Sequence, residues 1–293
     1  MICNQDVAGS IPVASSKILK YGDDYMQGAI FSGTDVRDYK AVYTASAKEF
    51  PKEFELKTVR IKNQGAVGSC VAHSLSSIIE YYNNVQNNDP TEMSIGYIYG
   101  NRSTSVHKGA GMVMRDALEV VRKYGDVSKN EFSENLPIDN LEVPTAIVLY
   151  EMKKDKLFEN GYPHRISQYC RVNTVSAIKA SLMAGNPVLI AMEWYADMEV
   201  VDGILTTSYE GYDGGHCMFI YGWNELGWKV QNSWGEDWGN HGTMIVPYKM
   251  PIEECWTLTD DIIEGIVIKK PFSSKCGKFV AKFINKVFNL FNI

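Results

Sequence analysis

Several features that mark other classes of protein are missing from this sequence. Its 29 Lys and Arg residues are outnumbered by 35 Asp and Glu residues, which gives a formal net charge of −6. A nucleic-acid-binding protein usually carries a basic surface, so this balance argues against a nucleic-acid partner. No apolar run reaches the roughly 20 residues of a transmembrane helix, and the start of the chain lacks the pattern of a secretory signal. We therefore expect a cytoplasmic protein.

Cysteine pairs are missing as well. The six cysteines are scattered along the chain, and no two of them form a C-x-x-C pair. That spacing argues against a zinc knuckle and against a compact disulfide framework. The sequence also has no G-x-x-x-x-G-K-[ST] phosphate-binding loop. We expect reduced thiols, no metal and no cofactor, in a chain whose 45% hydrophobic residues are ample for a globular core.

The most informative stretch that is present runs from Asn63 to Tyr82 and reads NQGAVGSCVAHSLSSIIEYY. Apolar residues from Val71 onward recur at helical spacing, which predicts an amphipathic helix with Cys70 at its start and Ser69 as N-cap. The helix dipole at that position favours a thiolate. Gln64 can bring an amide donor to the same spot, as an oxyanion hole requires. A lone cysteine at a helix start can equally be a small buried hydrophobe, so this stretch alone leaves both interpretations open.

Helical patterns dominate the first half of the chain and strand patterns the second. Further helices are predicted over residues 112–125, 144–161 and 174–185. After residue 185, short runs rich in β-branched and aromatic residues alternate with Gly, Asn and Asp, which is typical of an antiparallel sheet or barrel. These runs are PVLIAMEWY, HCMFIYGW, GWKVQN, GTMIVPY and DIIEGIVIKK. The predicted fold is therefore α+β, with a helical lobe, a β-barrel-like lobe and a cleft between them.

The second half also contains the partners that a cysteine nucleophile needs. His216 follows two glycines at the start of one strand and Asn232 ends the next, so their side chains can lie side by side. An asparagine oxygen can accept the imidazole N–H and orient the ring, while the other ring nitrogen faces a thiol. Trp234 can cover that hydrogen bond and exclude water. His73, one turn after Cys70, either packs in its helix or touches the site.

Taken together, Gln64, Cys70, His216 and the run from Asn232 to Gly235 resemble the papain-like cysteine peptidases, over about residues 51–269. The resemblance implies that Cys70 is the nucleophile, His216 the base and then the acid, and Asn232 the residue that orients the histidine. Gln64 and the backbone N–H of Cys70 would hold the oxyanion. The residues that the resemblance places beside a bound substrate are Gly111, Met112, Ala191, Cys217 and Trp234.

The chain is expected to begin with an arm. Residues 1–50 are rich in Gly, Ser, Asp and Tyr without sustained periodicity, which predicts an extended segment. It resembles the short prosegment of bacterial and phage-type members of the family. Asp35, Arg37 and Asp38 form either a charged anchor against the body or a solvated cluster.

The remaining parts are the expected peptidase domain and a tail. The domain covers residues 51–269, with the helical lobe to about residue 165 and the β lobe from about residue 166. Residues 270–293 have the pattern of a basic amphipathic helix, which could rest on an anionic membrane surface, on a protein partner or on its own body.

The expected activity is hydrolysis of peptide bonds in a protein or peptide substrate through a thioester acyl-enzyme. Two other functions stay open. A papain-fold binding module without catalysis has no physical reason to keep all four site residues. A cell-wall peptide amidase also uses cysteine and histidine, but it lacks the N-S-W-G arrangement.

Overall fold

A computed structural model of the chain describes residues 25–35, 38, 40–43, 50–102, 109–132, 157–260 and 266–269. The helices are α1 (Cys70–Asn87), α2 (Ile95–Gly100), α3 (Met114–Tyr124), α4 (Leu157–Gly161) and α5 (Val175–Met183), with a 3-10 turn at Tyr162–His164. Arg37, the tail from residue 270 and most of the helix expected over 144–161 lie outside the described residues.

The strands form one large, mostly antiparallel sheet and one small pair. They are β1 (Ala29–Ile30), β2 (Lys40–Tyr43), β3 (Phe54–Glu55), β4 (Met112–Val113), β5 (Gln168–Arg171), β6 (Val188–Tyr195), β7 (Glu199–Val201), β8 (Ile204–Thr206), β9 (Tyr212–Trp223), β10 (Gly227–Gln231), β11 (Thr243–Pro247), β12 (Glu254–Thr259) and β13 (Ile266–Lys269). The large sheet has the order β13-β2-β5-β12-β6-β9-β10-β11-β8-β7, with β3 paired to β9. The α+β class expected from the sequence is confirmed.

Helix α1 is the centre of the helical lobe. Its apolar stripe is buried in the first hydrophobic core, and it packs against β9. The Ser74 hydroxyl fastens the two elements by donating to the Cys217 carbonyl at 3.1 Å. The helix continues to Asn87, five residues beyond Tyr82, where the stretch described from the sequence ends. It ends where Asn88 adopts the left-handed conformation, which asparagine tolerates better than most residues.

Two other expected helices are confirmed, with local reasons for their ends. Helix α3 stops before Gly125, whose positive φ of 71° is a conformation that favours glycine. Helix α5 begins after Thr174, whose hydroxyl accepts a hydrogen bond from the Ala177 N–H at 3.1 Å.

Strands β5 and β12 were not predicted from the sequence. Strand β12 begins with the charged Glu254, which is nevertheless buried. The burial is possible because Glu254 accepts hydrogen bonds from the Trp256 indole and the Arg171 guanidinium. The β lobe has its own hydrophobic core, which is rich in tryptophan. The site lies where this lobe meets the helical lobe.

Part of the N-terminal arm belongs to the body of the molecule. Strand β2 lies between β5 and β13 in the large sheet, so the sheet begins before residue 50, the expected end of the arm. Next to it, buried Asp38 pairs with Arg115 at 2.7 Å and with Arg171 at 2.6 Å. Burial raises the pKa of Asp38, but the two guanidinium groups lower it more, so its net pKa lies below the ordinary value. Asp38 therefore remains ionised and anchors the arm.

The described part of the chain shows no helix long and apolar enough to cross a membrane. Its four cysteines, Cys70, Cys170, Cys217 and Cys255, are all unpaired.

Candidate active site

His216 and Asn232 are brought together by adjacent strands. His216 lies on β9 and Asn232 directly follows β10, and the His216 Nε2 atom is 2.7 Å from Asn232 Oδ1. The Ser233 backbone N–H donates to the same Asn232 atom at 2.7 Å, which identifies that atom as the amide oxygen. The proton of the neutral imidazole is therefore on Nε2, and Nδ1 carries the lone pair. Nδ1 is buried and has no hydrogen-bond partner among the described residues.

Three tryptophans surround this pair. The Trp234 ring lies 4.5 Å from the His216 ring, and the Trp194 ring meets the imidazole edge-on at 5.2 Å. Trp238 packs edge-on against Trp234 at 5.1 Å. Burial lowers the pKa of His216 to about 4, and the hydrogen bond to Asn232 raises it only in part. The imidazole is therefore a neutral base at pH 7.

Cys70 is the first residue of α1 and is fully buried. The backbone groups of Cys217 and Gly28 are near enough to its sulfur to lower the pKa of the thiol. Because Cys217 directly follows His216, the cysteine of the helical lobe meets the strand that carries the histidine. Burial raises the pKa of Cys70 to about 11, because the lost hydration outweighs the nearby N–H groups. The thiolate expected from the helix dipole is therefore absent in this state.

Ser69 does not act as the helix cap, and His73 does not act as a site residue. Ser69 precedes α1, but its hydroxyl caps no backbone N–H of the helix. That hydroxyl lies 3.1 Å from Nδ1 of His73, which is buried in the helical lobe. Burial lowers the pKa of His73 to about 3. His73 therefore takes the packing role, one of the two left open by the sequence.

Hydrogen bonds hold both the oxygen and the nitrogen of the Gln64 side-chain amide. Its Oε1 atom accepts a hydrogen bond from the Ser233 hydroxyl at 2.7 Å. Its Nε2 atom donates to the Val67 carbonyl at 2.9 Å and to the Met26 carbonyl at 2.8 Å. The amide donor of Gln64 thus binds a carbonyl oxygen of the N-terminal arm, which shows that this position accepts a peptide carbonyl.

The arm runs directly through the cleft. Tyr25 stacks on Trp234 with 5.0 Å between ring centres. Gly28 passes so close to the helical lobe that a Cβ atom there would lie 2.0 Å from the Gly68 carbonyl oxygen. Further along, β1 pairs with β4 in parallel, and the Met112 N–H donates to the Gly28 carbonyl at 2.9 Å. Residues 25–30 therefore fill the groove between the lobes.

The residues expected beside a substrate fall into two groups. Gly111 and Met112 border the groove and contact the arm, and a Cβ at Gly111 would lie 2.7 Å from the Gly28 oxygen. Trp234 borders the groove on the other side of Cys70 from Gly111 and Met112, and it lines a large cavity there. Ala191 and Cys217 are opposite each other on β6 and β9, and both are fully buried.

Sequence reasoning missed three residues of this site and gave a fourth no role of its own. Ser233, which holds Gln64, belongs to the run from Asn232 to Gly235 that was recognised, but its contact with Gln64 was not expected. Trp194, which packs on His216, stands in a predicted strand without any distinguishing signal. Met26 and Gly28 belong to the run YMQGAIF, where a glycine within apolar residues is the one available hint of close backbone approach. Among the residues that the structure describes, no cluster of His, Cys, Asp or Glu side chains could hold a metal ion.

Known proteins with similar sequences or folds are consistent with this arrangement. An uncharacterised peptidase C1-like protein of Acanthamoeba polyphaga mimivirus is 27% identical over 204 residues, which cover 66% of this chain and 65% of the viral protein. A cathepsin B-like cysteine proteinase of Caenorhabditis elegans is 36% identical over 117 residues, or 38% of this chain and 30% of that protein. The chain thus spans less than two thirds of the length of these relatives.

A solved structure has the same fold over most of the chain. Xylellain, a cysteine protease from Xylella fastidiosa, superposes with a TM-score of 0.69 at 21% identity, covering 84% of this chain and all of that one. The sequence model described as "Papain family cysteine protease" matches residues 50–259. The chain therefore belongs to the papain family of cysteine proteases.

Proposed function

We propose that this chain is a cysteine endopeptidase that uses Cys70, His216 and Asn232. The observation that carries the proposal is the orientation of His216. Asn232 holds its Nε2 atom and leaves Nδ1 as the free base nitrogen, on the strand that also contacts the Cys70 sulfur. The groove extends well beyond the histidine on the Trp234 side, so a substrate chain can continue past the cleaved bond. That space favours cleavage within a chain.

The first half of the reaction forms a thioester. Nδ1 of His216 takes the thiol proton, and the Cys70 sulfur attacks the carbonyl carbon of the peptide bond. The oxyanion is stabilised by the Gln64 amide and the Cys70 backbone N–H. The imidazolium then gives its proton to the amide nitrogen, the C–N bond breaks and the amine leaves.

The second half releases the acid. A water molecule loses a proton to Nδ1 of His216 and attacks the thioester carbon, and the sulfur leaves with the proton returned by the imidazolium. Asn232 keeps the ring aligned in both halves by accepting the Nε2 proton at 2.7 Å. The tryptophans around His216 limit competing water, which strengthens this hydrogen bond.

In this proposal the described state is a latent one. The leaving amine takes its proton from His216. The part of the substrate that follows the cleaved bond therefore lies on the Trp234 side, and the part that precedes the bond lies beside Met112. The arm runs from Tyr25, on Trp234, to Ile30, beside Val113. Its direction is therefore opposite to that of a substrate. The arm brings the Gly28 backbone close to the sulfur, and its Met26 carbonyl occupies the Gln64 donor.

The test uses full-length chains that carry Gly28→Val, a substitution that forces the arm out of the groove. This variant should cleave casein and an internally quenched peptide, and a peptide-like epoxide should label Cys70. Cys70→Ala in the same background should reduce turnover to the uncatalysed level. Gln64→Ala should lower kcat by about 10²–10³-fold, as expected for loss of an oxyanion donor.

Cys255→Ala is the matched control, because Cys255 is an unpaired cysteine on β12 and plays no part in the proposed chemistry. This control should retain turnover and epoxide labelling. Turnover that survives in Cys70→Ala would assign the nucleophile to another residue. A folded Gly28→Val chain that binds peptides but cleaves none would instead support a binding module.

A further inference from the structure

A large cavity continues the groove on the side of His216 where the leaving amine departs. Its volume is about 1320 Å³, and it is lined by Trp194, Trp234 and Trp238, by residues of the 195–213 region and by the 25–27 segment of the arm. We call it the leaving-side cavity. It has room for several side chains of a bound peptide.

The charged residues in the described lining of this cavity are all acidic. Four of its described lining residues are acidic, namely Asp197, Glu199, Glu210 and Asp213, and none is Lys, Arg or His. Asp197 is engaged within the wall, since it accepts hydrogen bonds from the Thr207 hydroxyl at 2.8 Å and the Glu210 N–H at 3.2 Å. The carboxylates of Glu199 and Glu210 make no hydrogen bond or ion pair with any described residue. They are available to a ligand.

Two separate observations indicate that a peptide occupies the leaving-side cavity. Trp234 lines it, is only 3% exposed, and its indole N–H has no acceptor among the described residues. This donor is buried while Tyr25 of the arm stacks on the indole, and a backbone carbonyl of a chain bound there after the arm has left would satisfy it. In addition, the arm already places a side-chain donor against the acidic wall, because Gln27 Nε2 donates to Asp213 Oδ2 at 3.3 Å.

We propose that the leaving-side cavity selects peptides that carry Arg or Lys just after the cleaved bond. Aromatic and carboxylate groups together suit a guanidinium, which can stack on indole while it binds carboxylate oxygens. Gln27 lies between Met26, whose carbonyl binds Gln64, and Gly28, and Asp213 lines the leaving-side cavity, so Asp213 contacts a residue next to the cleaved bond on that side. Glu199 and Glu210 contact the following residues. The preference rests on the proposed endopeptidase activity.

The test compares three internally quenched peptides with full-length Gly28→Val. The peptides are identical before the cleaved bond and carry Arg, citrulline or Glu at the two positions after it. Citrulline keeps the shape of Arg without its charge. We expect kcat/KM for Arg to exceed that for citrulline by about tenfold at low salt, with Glu lowest, and the ratio to shrink in about 0.5 M salt.

Charge-neutralising variants assign the effect to this wall. Asp213→Asn combined with Glu199→Gln should reduce the ratio of Arg to citrulline to about twofold or less. Glu225→Gln combined with Glu253→Gln removes two carboxylate charges at exposed positions outside the cavity lining; Glu225 lies in the turn between β9 and β10, where it pairs with Lys52. This control should keep the tenfold ratio.

An aminocoumarin amide, which has no residue after the cleaved bond, separates the two proposals. If the Gly28→Val chain cleaves the aminocoumarin amide but treats Arg and citrulline peptides alike, the preference for basic residues is wrong and the endopeptidase proposal stands. If it cleaves neither kind of substrate, both proposals fail. A preference for Arg that persists in the double variant would assign the selection to residues outside the acidic wall and would overturn this proposal.

Discussion

Replacing Gly28 with valine should open the cleft of the full-length protein. A Cβ atom at this position would lie 2.0 Å from the carbonyl oxygen of Gly68 and 2.7 Å from its Cα. Both are backbone atoms, so no side-chain rotation can relieve the overlap. The arm must therefore leave the groove at this point, and the Cys70 sulfur loses its cover.

The size of the effect follows from the contacts that leave with the arm. Two hydrogen bonds break at least, from Gln64 to the Met26 carbonyl and from Met112 to the Gly28 carbonyl. At about 0.5–1.5 kcal/mol each, they hold the closed state by about 1–3 kcal/mol. Their loss should shift the population toward the open state by about 5- to 150-fold.

The assay is the second-order rate of Cys70 alkylation by iodoacetamide at pH 7.5, with the modified residue identified by mass spectrometry. Alkylation requires the thiolate. In the closed state, burial raises the pKa of Cys70 to about 11 and keeps the thiol neutral. The alkylation rate of the Gly28→Val chain should therefore rise by about 5- to 150-fold, because the population of the open state rises by that factor.

The matched control is Thr34→Val, an exposed position in the same arm. It should react at the wild-type rate. If a folded Gly28→Val chain is alkylated no faster than this control, the arm does not protect the sulfur in solution and the latent state is wrong.

Three further predictions concern stability and catalysis. Asp38→Asn leaves the buried Arg171 and the partly buried Arg115 without their shared carboxylate, so the free energy of unfolding measured in urea should fall by about 3 kcal/mol; a loss under about 0.5 kcal/mol would contradict the anchor. Burial lowers the pKa of His73 to about 3, below its ordinary value of 6.5. The unfolded chain therefore binds a proton that the folded chain does not, and the free energy of unfolding should fall as pH drops from 6.5 toward 3. Because burial also lowers the pKa of His216 to about 4, His73→Asn should reduce this slope without removing it, and an unchanged slope would be evidence against the role of His73. Ser233→Ala frees Gln64 Oε1, so in the Gly28→Val background kcat should fall about tenfold with little change in KM, whereas a change in KM alone would exclude a positioning role.

Much of the site was predictable because its signals are local. The helix that begins at Cys70 follows from apolar spacing alone. The meeting of His216 with Asn232 follows from two consecutive strands, which usually pair. In the observed register Gln231 pairs with Phe219, so Asn232 falls opposite Met218, two residues from His216 and therefore on the same face of the sheet.

The state of the nucleophile was not predictable, because it depends on a segment far away in sequence. The local rule at Cys70 is that a helix N-terminus lowers a thiol pKa, and this rule is overridden by burial beneath Gly28. Strand β12 was missed for a similar reason. The charged Glu254 suggests an exposed run, and its burial depends on the distant Arg171 together with the Trp256 indole.

The position of β2 limits how the protein can mature. Residues 40–43 are an internal strand of the large sheet, with β13 on one side and β5 on the other. A processing cut at residue 50 would require this strand to be withdrawn, which would leave two unpaired strand edges open to aggregation. A cut between Ile30 and Lys40 would empty the groove and leave the sheet whole. The mature enzyme would then retain the end of its own inhibitor as a permanent structural strand.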